Sequence, residues 1–203
     1  IFIGAHCHND FGLALANAIS CIRAGAKLID LCANGLGDRA GNACLFELMV
    51  TLETLYKRPT GLKTEKVMEL AKYVEQISGI KIPASKPFVG ANVFAEEAAA
   101  HAIEQFTRPV AGRSIVPEDI GAKLGVIYGK LTDETVIRLS AQAAGRDVPE
   151  KFYPEIMKRL YAAAEKEFKE RALDPDGECY QLDGGTFISQ ESFDGICGDQ
   201  RDR

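Results

Sequence analysis

The residues best suited to chemistry lie near the start of the chain, in the HCHND segment at residues 6–10. This segment directly follows a short apolar run, residues 1–5, which is typical of a strand. Alternate residues of a strand point to the same face, so we expect His6 and His8 to project together while Cys7 points the opposite way. Two imidazoles at the carboxyl end of a strand supply half of a metal site, or they only cap the strand with hydrogen bonds.

A second polar segment follows the next apolar run, residues 26–33. It reads NGLGDRAGN from Asn34 to Asn42 and contains three glycines, among them Gly35 and Gly37. Glycines let the backbone approach a ligand closely, and a helix beginning just beyond would offer free N–H groups to an anion. The same composition is also ordinary for a flexible strand-to-helix turn. Because this loop comes one β/α unit after the histidines, it should lie beside them, where an Asn oxygen could complete the coordination.

The elements that must position these residues alternate between strand and helix. Apolar runs predict strands at residues 1–5 and 26–33, and apolar periodicity predicts helices at about 11–24 and 43–57. This order predicts a parallel strand pair joined by a right-handed crossover. An amphipathic pattern predicts a helix over residues 63–79, ended by Gly79. Further helices are expected at about 94–107, 117–129, 132–145 and 149–172, followed by loops.

The composition argues against several classes of function. The chain has 203 residues, 46% of them hydrophobic and 26% charged, which is ordinary for a soluble globular protein. No apolar stretch reaches the ~18 residues of a spanning helix, and no secretory leader opens the chain. The net charge is −5 and basic residues are scattered, so no stripe is available for a phosphate backbone. We therefore expect a cytoplasmic protein with neither nucleic acid nor membrane as partner, and its six cysteines to be reduced.

Both motifs, together with their spacing, carry a resemblance to a known family. The stretch HCHNDFGLALANAISCIRAGAKLIDLCANGLGDRAGNA, residues 6–43, resembles the hallmark segment of the isopropylmalate, homocitrate and citramalate synthase family of the HMG-CoA lyase-like superfamily. The resemblance implies that His6, His8 and Asn42 bind a divalent metal, Mn, Mg or Zn, with an Asp from the first barrel strand. That Asp is not in this chain, which opens in a strand-like run without Met. We expect the C-terminal portion of a longer enzyme.

The fold class implied by the resemblance is α/β. It is the C-terminal portion of a (β/α)8 TIM-type barrel, its last two β/α units, followed by a mainly α-helical subdomain. We expect the barrel part at residues 1–80, a linker at 81–93, the helical subdomain at 94–173 and a tail at 174–203. The linker contains KPFVGANVF, which is similar to the family's entry into the helical subdomain.

Within the helical subdomain the resemblance is weaker. The synthases carry a stretch like F-x-H-x-S/A-G-I/V-H, whose last His reaches a neighbouring subunit's active site as a proton-transfer group. Here FAEEAAAH at residues 94–101 keeps that last His as His101 but lacks the earlier His and the Gly. The alternative is a surface histidine on an Ala-rich helix. Tyr128 is the candidate for the hydroxyl partner that synthases keep nearby. Family members are usually dimers, so we expect a homodimer.

The activity implied by the resemblance is a Claisen-type condensation of acetyl-CoA with a 2-oxo acid, whose carbonyl the metal polarises. Arg39 would pair with a substrate carboxylate or hold the loop through Asp38, and Asp10 would orient a ligand or cap the next helix. The departures in the helical subdomain favour a divergent branch, of which Re-type citrate synthase is a candidate. Two alternatives are a metal-dependent acyl-CoA lyase, disfavoured by Asp38 and Arg39 in place of that enzyme's catalytic-Cys insertion, and a non-catalytic helical dimerisation module.

Overall fold

The structure, a computed structural model, describes residues 1–108, 114–129, 131–143 and 145–172. Two compact units divide the chain. The first contains Ile1–Val93 and Ser114–Ala122, and the second contains the other described residues. The expected domain boundaries stay a prediction, and Ser114–Ala122 groups with the first unit although the sequence assigned it to the helical subdomain. The expected tail at 174–203 lies outside the described residues.

The first unit opens with the predicted strand, helix and strand. These are β1 (Gly4–His6), α1 (Ala14–Arg23) and β2 (Leu28–Asp30). The two strands pair in parallel, with Gly4 opposite Leu28 and His6 opposite Asp30. The predicted parallel pair is therefore confirmed, although each strand is shorter than its apolar run. Its register brings the carboxyl ends of both strands to the same edge.

Helix α1 packs closely because the face it buries is made of alanine. Ala14 and Ala18 are four residues apart, lie on one side of the helix and are almost completely buried. They form a cluster with Ala43 and Leu48, and Cys7 packs against that cluster. The prediction that Cys7 points away from the histidines toward the helical layer is therefore confirmed.

Two further helices complete the first unit. They are α2 (Leu45–Thr54) and α3 (Val67–Ser78), and α3 is preceded by a 3-10 turn at Thr64–Lys66. Gly79 ends α3 in the left-handed conformation, at φ 71°, as the sequence predicts for a C-terminal glycine. Val67 and Ala71 are the buried residues of α3, so only one face of this amphipathic helix is covered.

The second unit is mainly helical, as the resemblance implies, and also contains a short pair of strands. It contains β3 (Ala95–Glu96), α4 (Ala99–Thr107), β4 (Gly125–Val126), α5 (Glu134–Ala143) and α6 (Tyr153–Ala172), and β3 pairs in parallel with β4. Its core is apolar and includes Ile137, Ile156 and Leu160. None of the helices among the described residues is long and apolar enough to cross a membrane.

The helix predicted over residues 117–129 is wrong. Pro117–Ile120 forms a single 3-10 turn that Gly121 ends at φ 74°, and the chain then enters β4. Gly121 passes so close to the first unit's own backbone that a Cβ there would lie 2.4 Å from the Glu65 carbonyl oxygen. This close approach requires glycine at the point where the apolar pattern alone favours continuing a helix.

Candidate metal centre

The two histidines of the HCHND segment project together, as predicted. The ring centroids of His6 and His8 are 4.8 Å apart, with an angle of 74° between the ring planes. His8 forms an antiparallel bridge with Asn42, and the Ala43 N–H donates to the Cys7 carbonyl at 2.9 Å. The end of the glycine-containing loop is thus tied by backbone hydrogen bonds to the segment that carries both imidazoles.

Asn42 brings its amide to the same place. Its Nδ2 lies 3.2 Å from His6 Nε2, and the residue is only 8% exposed. Asn42 Oδ1 and His8 Nδ1 are buried, and neither has a hydrogen-bond partner among the described residues. A buried polar atom without a partner costs about 1–3 kcal/mol, so two such atoms beside the His6 imidazole point to a missing ligand.

Glycines leave the space that Asn42 occupies. A Cβ on Gly37 would lie 2.5 Å from Asn42 Oδ1, and a Cβ on Gly41 would lie 2.1 Å from the Gly35 carbonyl oxygen. That carbonyl accepts the Asn42 N–H at 3.0 Å. These contacts favour close backbone approach over a merely flexible turn as the reason for the glycines.

Asn34 and Arg39 hold the two ends of the loop. Asn34 has a positive φ of 55°, and its Nδ2 donates to the Ala71 carbonyl of α3 at 3.0 Å. Arg39 donates from Nε and Nη2 to the two carboxylate oxygens of Asp10, at 2.7 and 3.0 Å. Of the two roles expected for Arg39, the structure shows the ion pair, but with Asp10 in place of Asp38.

Of the two roles expected for Asp10, the structure contradicts the helix cap. Its carboxylate binds Arg39, and the hydrogen bond and charge of that guanidinium lower the pKa of Asp10. The first N–H of α1, at Ala14, is instead bonded by Asn9 Oδ1 at 3.2 Å. Asn9 rather than Asp10 therefore accepts a hydrogen bond from the start of α1, and Asp10 joins the HCHND segment to the loop.

Lys86, in the expected linker, contacts both α2 and the loop. Its Nζ lies 2.7 Å from Glu47 Oε1, and the two side chains are only 19% and 15% exposed. A Cβ on Gly35 would meet the same Nζ at 3.2 Å. No sequence pattern pairs these residues, because the contact depends on how residues 81–93 fold back.

Asp30 is a site residue that the sequence interpretation missed. Its Oδ2 lies 2.8 Å from His6 Nδ1. The pattern that could have found it is simple: both predicted strands carry a polar residue near their ends, and parallel pairing aligns those ends.

The two expected catalytic residues, His101 and Tyr128, belong to the second unit. His101 is exposed on α4, with its Nδ1 3.6 Å from Glu96 Oε2. Tyr128 is fully buried, at 0% exposure, in the core of that unit. This position gives Tyr128 a packing role, and a catalytic role for either residue stays a prediction.

The donor set around Asn42 fits a divalent metal ion. Two imidazoles and an amide oxygen suit a borderline or hard cation such as Zn, Mn or Mg. The described residues contain no group of three or more His, Cys, Asp or Glu side chains that could hold an ion. His6, His8 and Asn42 would therefore supply three ligands and leave positions for others.

The chain is similar in sequence to known proteins. Residues 1–74 match the family model described as HMGL-like. The homocitrate synthase AksA of Methanocaldococcus jannaschii is 37% identical over 94% of this chain and 43% of its own length. The 2-isopropylmalate synthase of the same organism is 37% identical over 87% of this chain and 34% of its own. A Methanopyrus kandleri protein named for (R)-citramalate synthesis is 39% identical over 79% of this chain and 31% of its own.

Residues 1–74 therefore form a domain of the HMGL-like family. Within that family, the resemblance to isopropylmalate, homocitrate and citramalate synthases expected from the sequence is confirmed. The chain spans less than half the length of each of these relatives, between 31% and 43%.

Proposed function

We propose that the protein carrying this chain is a divalent-metal-dependent acyltransferase that condenses acetyl-CoA with a 2-oxo acid, with His6, His8 and Asn42 as metal ligands. The observation that carries the proposal is the pair of buried, unpartnered atoms, Asn42 Oδ1 and His8 Nδ1, beside His6 Nε2. The similarity to proteins named as citramalate, homocitrate and 2-isopropylmalate synthases supports it.

The first unit is proposed to be the last two β/α units of a TIM-type barrel, in the C-terminal portion of the enzyme. The parallel β1–β2 pair with α1 between its strands supports this assignment. In such barrels the carboxyl ends of the strands form the catalytic rim. His6 and Asp30 lie at those ends, opposite each other in the register.

Three of the site residues are proposed to bind the metal, and Arg39 is proposed to hold the loop in place. A bound divalent ion supplies Lewis acidity toward the carbonyl of the 2-oxo acid. His6 and His8 present imidazole donors from one face of the strand, and the glycines of the loop keep Asn42 beside them. Arg39 is engaged by Asp10 on both of its carboxylate oxygens, so its proposed task is to fix the loop.

His101 is proposed as the proton-transfer group, acting from a second subunit of a homodimer. Its exposure on α4 supports this role, because an exposed imidazole can reach a neighbouring molecule. Transfer of a proton from the methyl group of acetyl-CoA to His101 would generate the enolate that attacks the 2-oxo carbonyl. The resulting alkoxide takes up a proton, and water hydrolyses the thioester to release CoA. The burial of Tyr128 favours packing over participation in that step.

The proposed activity is tested by thiol release from acetyl-CoA. The protein, expressed from its own gene and supplied with Mn²⁺, is presented in turn with oxaloacetate, 2-oxoglutarate, 2-oxoisovalerate and pyruvate. We expect release with one of them, and release with oxaloacetate would assign the Re-type citrate synthase branch.

Two asparagine-to-alanine variants test whether the activity depends on the proposed metal site. Asn42→Ala should abolish thiol release, whereas Asn17→Ala, which changes an exposed asparagine of α1, should leave it intact. Absence of release with all four acids, or cleavage of 3-hydroxy-3-methylglutaryl-CoA in their place, would contradict a synthase.

A further inference from the structure

The carboxylate of Asp30 and the imidazole of His6 meet at the carboxyl edge of the small parallel sheet. The register puts the two residues directly opposite each other, and Asp30 Oδ2 lies 2.8 Å from His6 Nδ1. The two residues are 24 positions apart in sequence, so the contact exists only because the strands pair in this register. The pairing of β1 and β2 therefore brings the two side chains together.

The chemistry of the two groups decides which ring nitrogen of His6 carries the proton. An ionised carboxylate has no hydrogen to donate, so the bond requires a hydrogen on Nδ1. In a neutral imidazole the lone pair is then on Nε2, the nitrogen that lies 3.2 Å from the amide of Asn42. The opposite tautomer would direct the Nδ1 lone pair at a carboxylate oxygen, which is repulsive.

His8 differs from His6 in this respect. Its Nδ1 is buried and has no hydrogen-bond partner among the described residues. The two imidazoles are therefore not equivalent, because only one of them has its tautomer set by a carboxylate.

We infer that Asp30 is a positioning residue for the metal site. By accepting the Nδ1–H of His6, it fixes the tautomer and ring orientation that present the Nε2 lone pair to a cation beside Asn42. The inference rests on the proposed function for its metal. Carboxylate partners of this kind orient and strengthen imidazole ligands in metal sites, and their loss costs roughly 10–100-fold in metal affinity.

The tautomer is measured directly by long-range ¹H–¹⁵N NMR of the metal-free chain, which contains three histidines. We expect the Nδ1–H form at His6. Asp30→Ala should shift His6 toward the Nε2–H form, while Asp30→Asn should retain Nδ1–H because the amide oxygen also accepts a hydrogen bond. The dispersion of the backbone amide spectrum reports whether the variant is still folded. If Asp30 had only a structural role, its replacement would not change the His6 tautomer in a folded variant.

Metal affinity is the second readout, with Co²⁺ as the probe and a competing chelator. Asp30→Ala should weaken binding roughly tenfold or more, and Asp30→Asn by less. Asp119→Ala removes an exposed carboxylate from the same unit without touching His6, and should change neither readout.

Unchanged tautomer and Co²⁺ affinity in Asp30→Ala would overturn the inference. A chain that bound no Co²⁺ would contradict the proposed function, and the tautomer measurement would still decide for or against Asp30.

Discussion

Replacement of Gly41 by alanine should release the loop that carries Asn42. Gly41 has a φ of 85°, where an alanine costs about 1–2 kcal/mol in backbone strain. Its Cβ would also lie 2.1 Å from the Gly35 carbonyl oxygen, so that carbonyl must move. Movement breaks the 3.0 Å bond from the Asn42 N–H, and leaving those groups unpaired costs a further amount of about 1–3 kcal/mol.

Gly61→Ala is the matched control. Gly61 has a φ of 74°, but a Cβ there meets nothing within 4 Å. Backbone strain and the reduced freedom of the unfolded chain are therefore shared by both variants and cancel in the comparison. The difference of about 1–3 kcal/mol isolates the close approach of Gly41 to Gly35.

Hydrogen exchange is the assay, because a chain of two units need not unfold in one step. The amides of Asn42 and Ala43 report opening of the loop. At tenfold per 1.4 kcal/mol, they should exchange about five- to 150-fold faster in Gly41→Ala than in Gly61→Ala. Equal exchange rates in the two variants would refute the argument that the loop is held by this close approach.

Three other perturbations have definite expected results. Lys86→Met should lower the free energy of unfolding in urea by about 2 kcal/mol, because it leaves the largely buried Glu47 carboxylate unpaired. The double variant with Glu47→Gln should be destabilised less, and an equal loss in the double variant would contradict this. Burial raises the pKa of the Cys44 thiol, so iodoacetamide at pH 8 should alkylate Cys44 more slowly than the partly exposed Cys32. The alkylation rate of Cys44 should increase as the pH rises. Faster alkylation of Cys44 than of Cys32, followed by mass spectrometry, would count against its burial. Tyr128→Ala should destabilise the second unit by about 3–5 kcal/mol, and an unchanged melting temperature would disagree with its place in the core.

Local patterns predicted the parts of the fold that depend on local physics. The amphipathic repeat and Gly79 located α3 and its end, because periodicity and a left-handed glycine act within one helix. The same reasoning failed at residues 117–129, where the conformation depends on Gly121 passing the backbone of Glu65, far away in sequence. Apolar content there was consistent with a helix, and only the long-range contact decides otherwise.

The site divides in the same way. Strand alternation and the order of β/α units predicted that His6 and His8 lie together beside the glycine-containing loop, and the resemblance selected Asn42 within that loop. The supporting contacts could not be predicted. Asn34 bonds Ala71 across 37 residues, and such pairs follow from how helices pack, which no short motif encodes.

The measurement that tests the central claim most directly is the location of a metal ion by anomalous diffraction at the zinc edge, from crystals of the chain grown with Zn²⁺. We predict a peak bounded by the imidazoles of His6 and His8 and by the Asn42 oxygen, at ligand distances of about 2.0–2.2 Å. The Asn42→Ala variant, treated identically, should show a weaker peak. A Zn²⁺ ion bound elsewhere, with Asn42 Oδ1 still buried and unpartnered, would contradict the account.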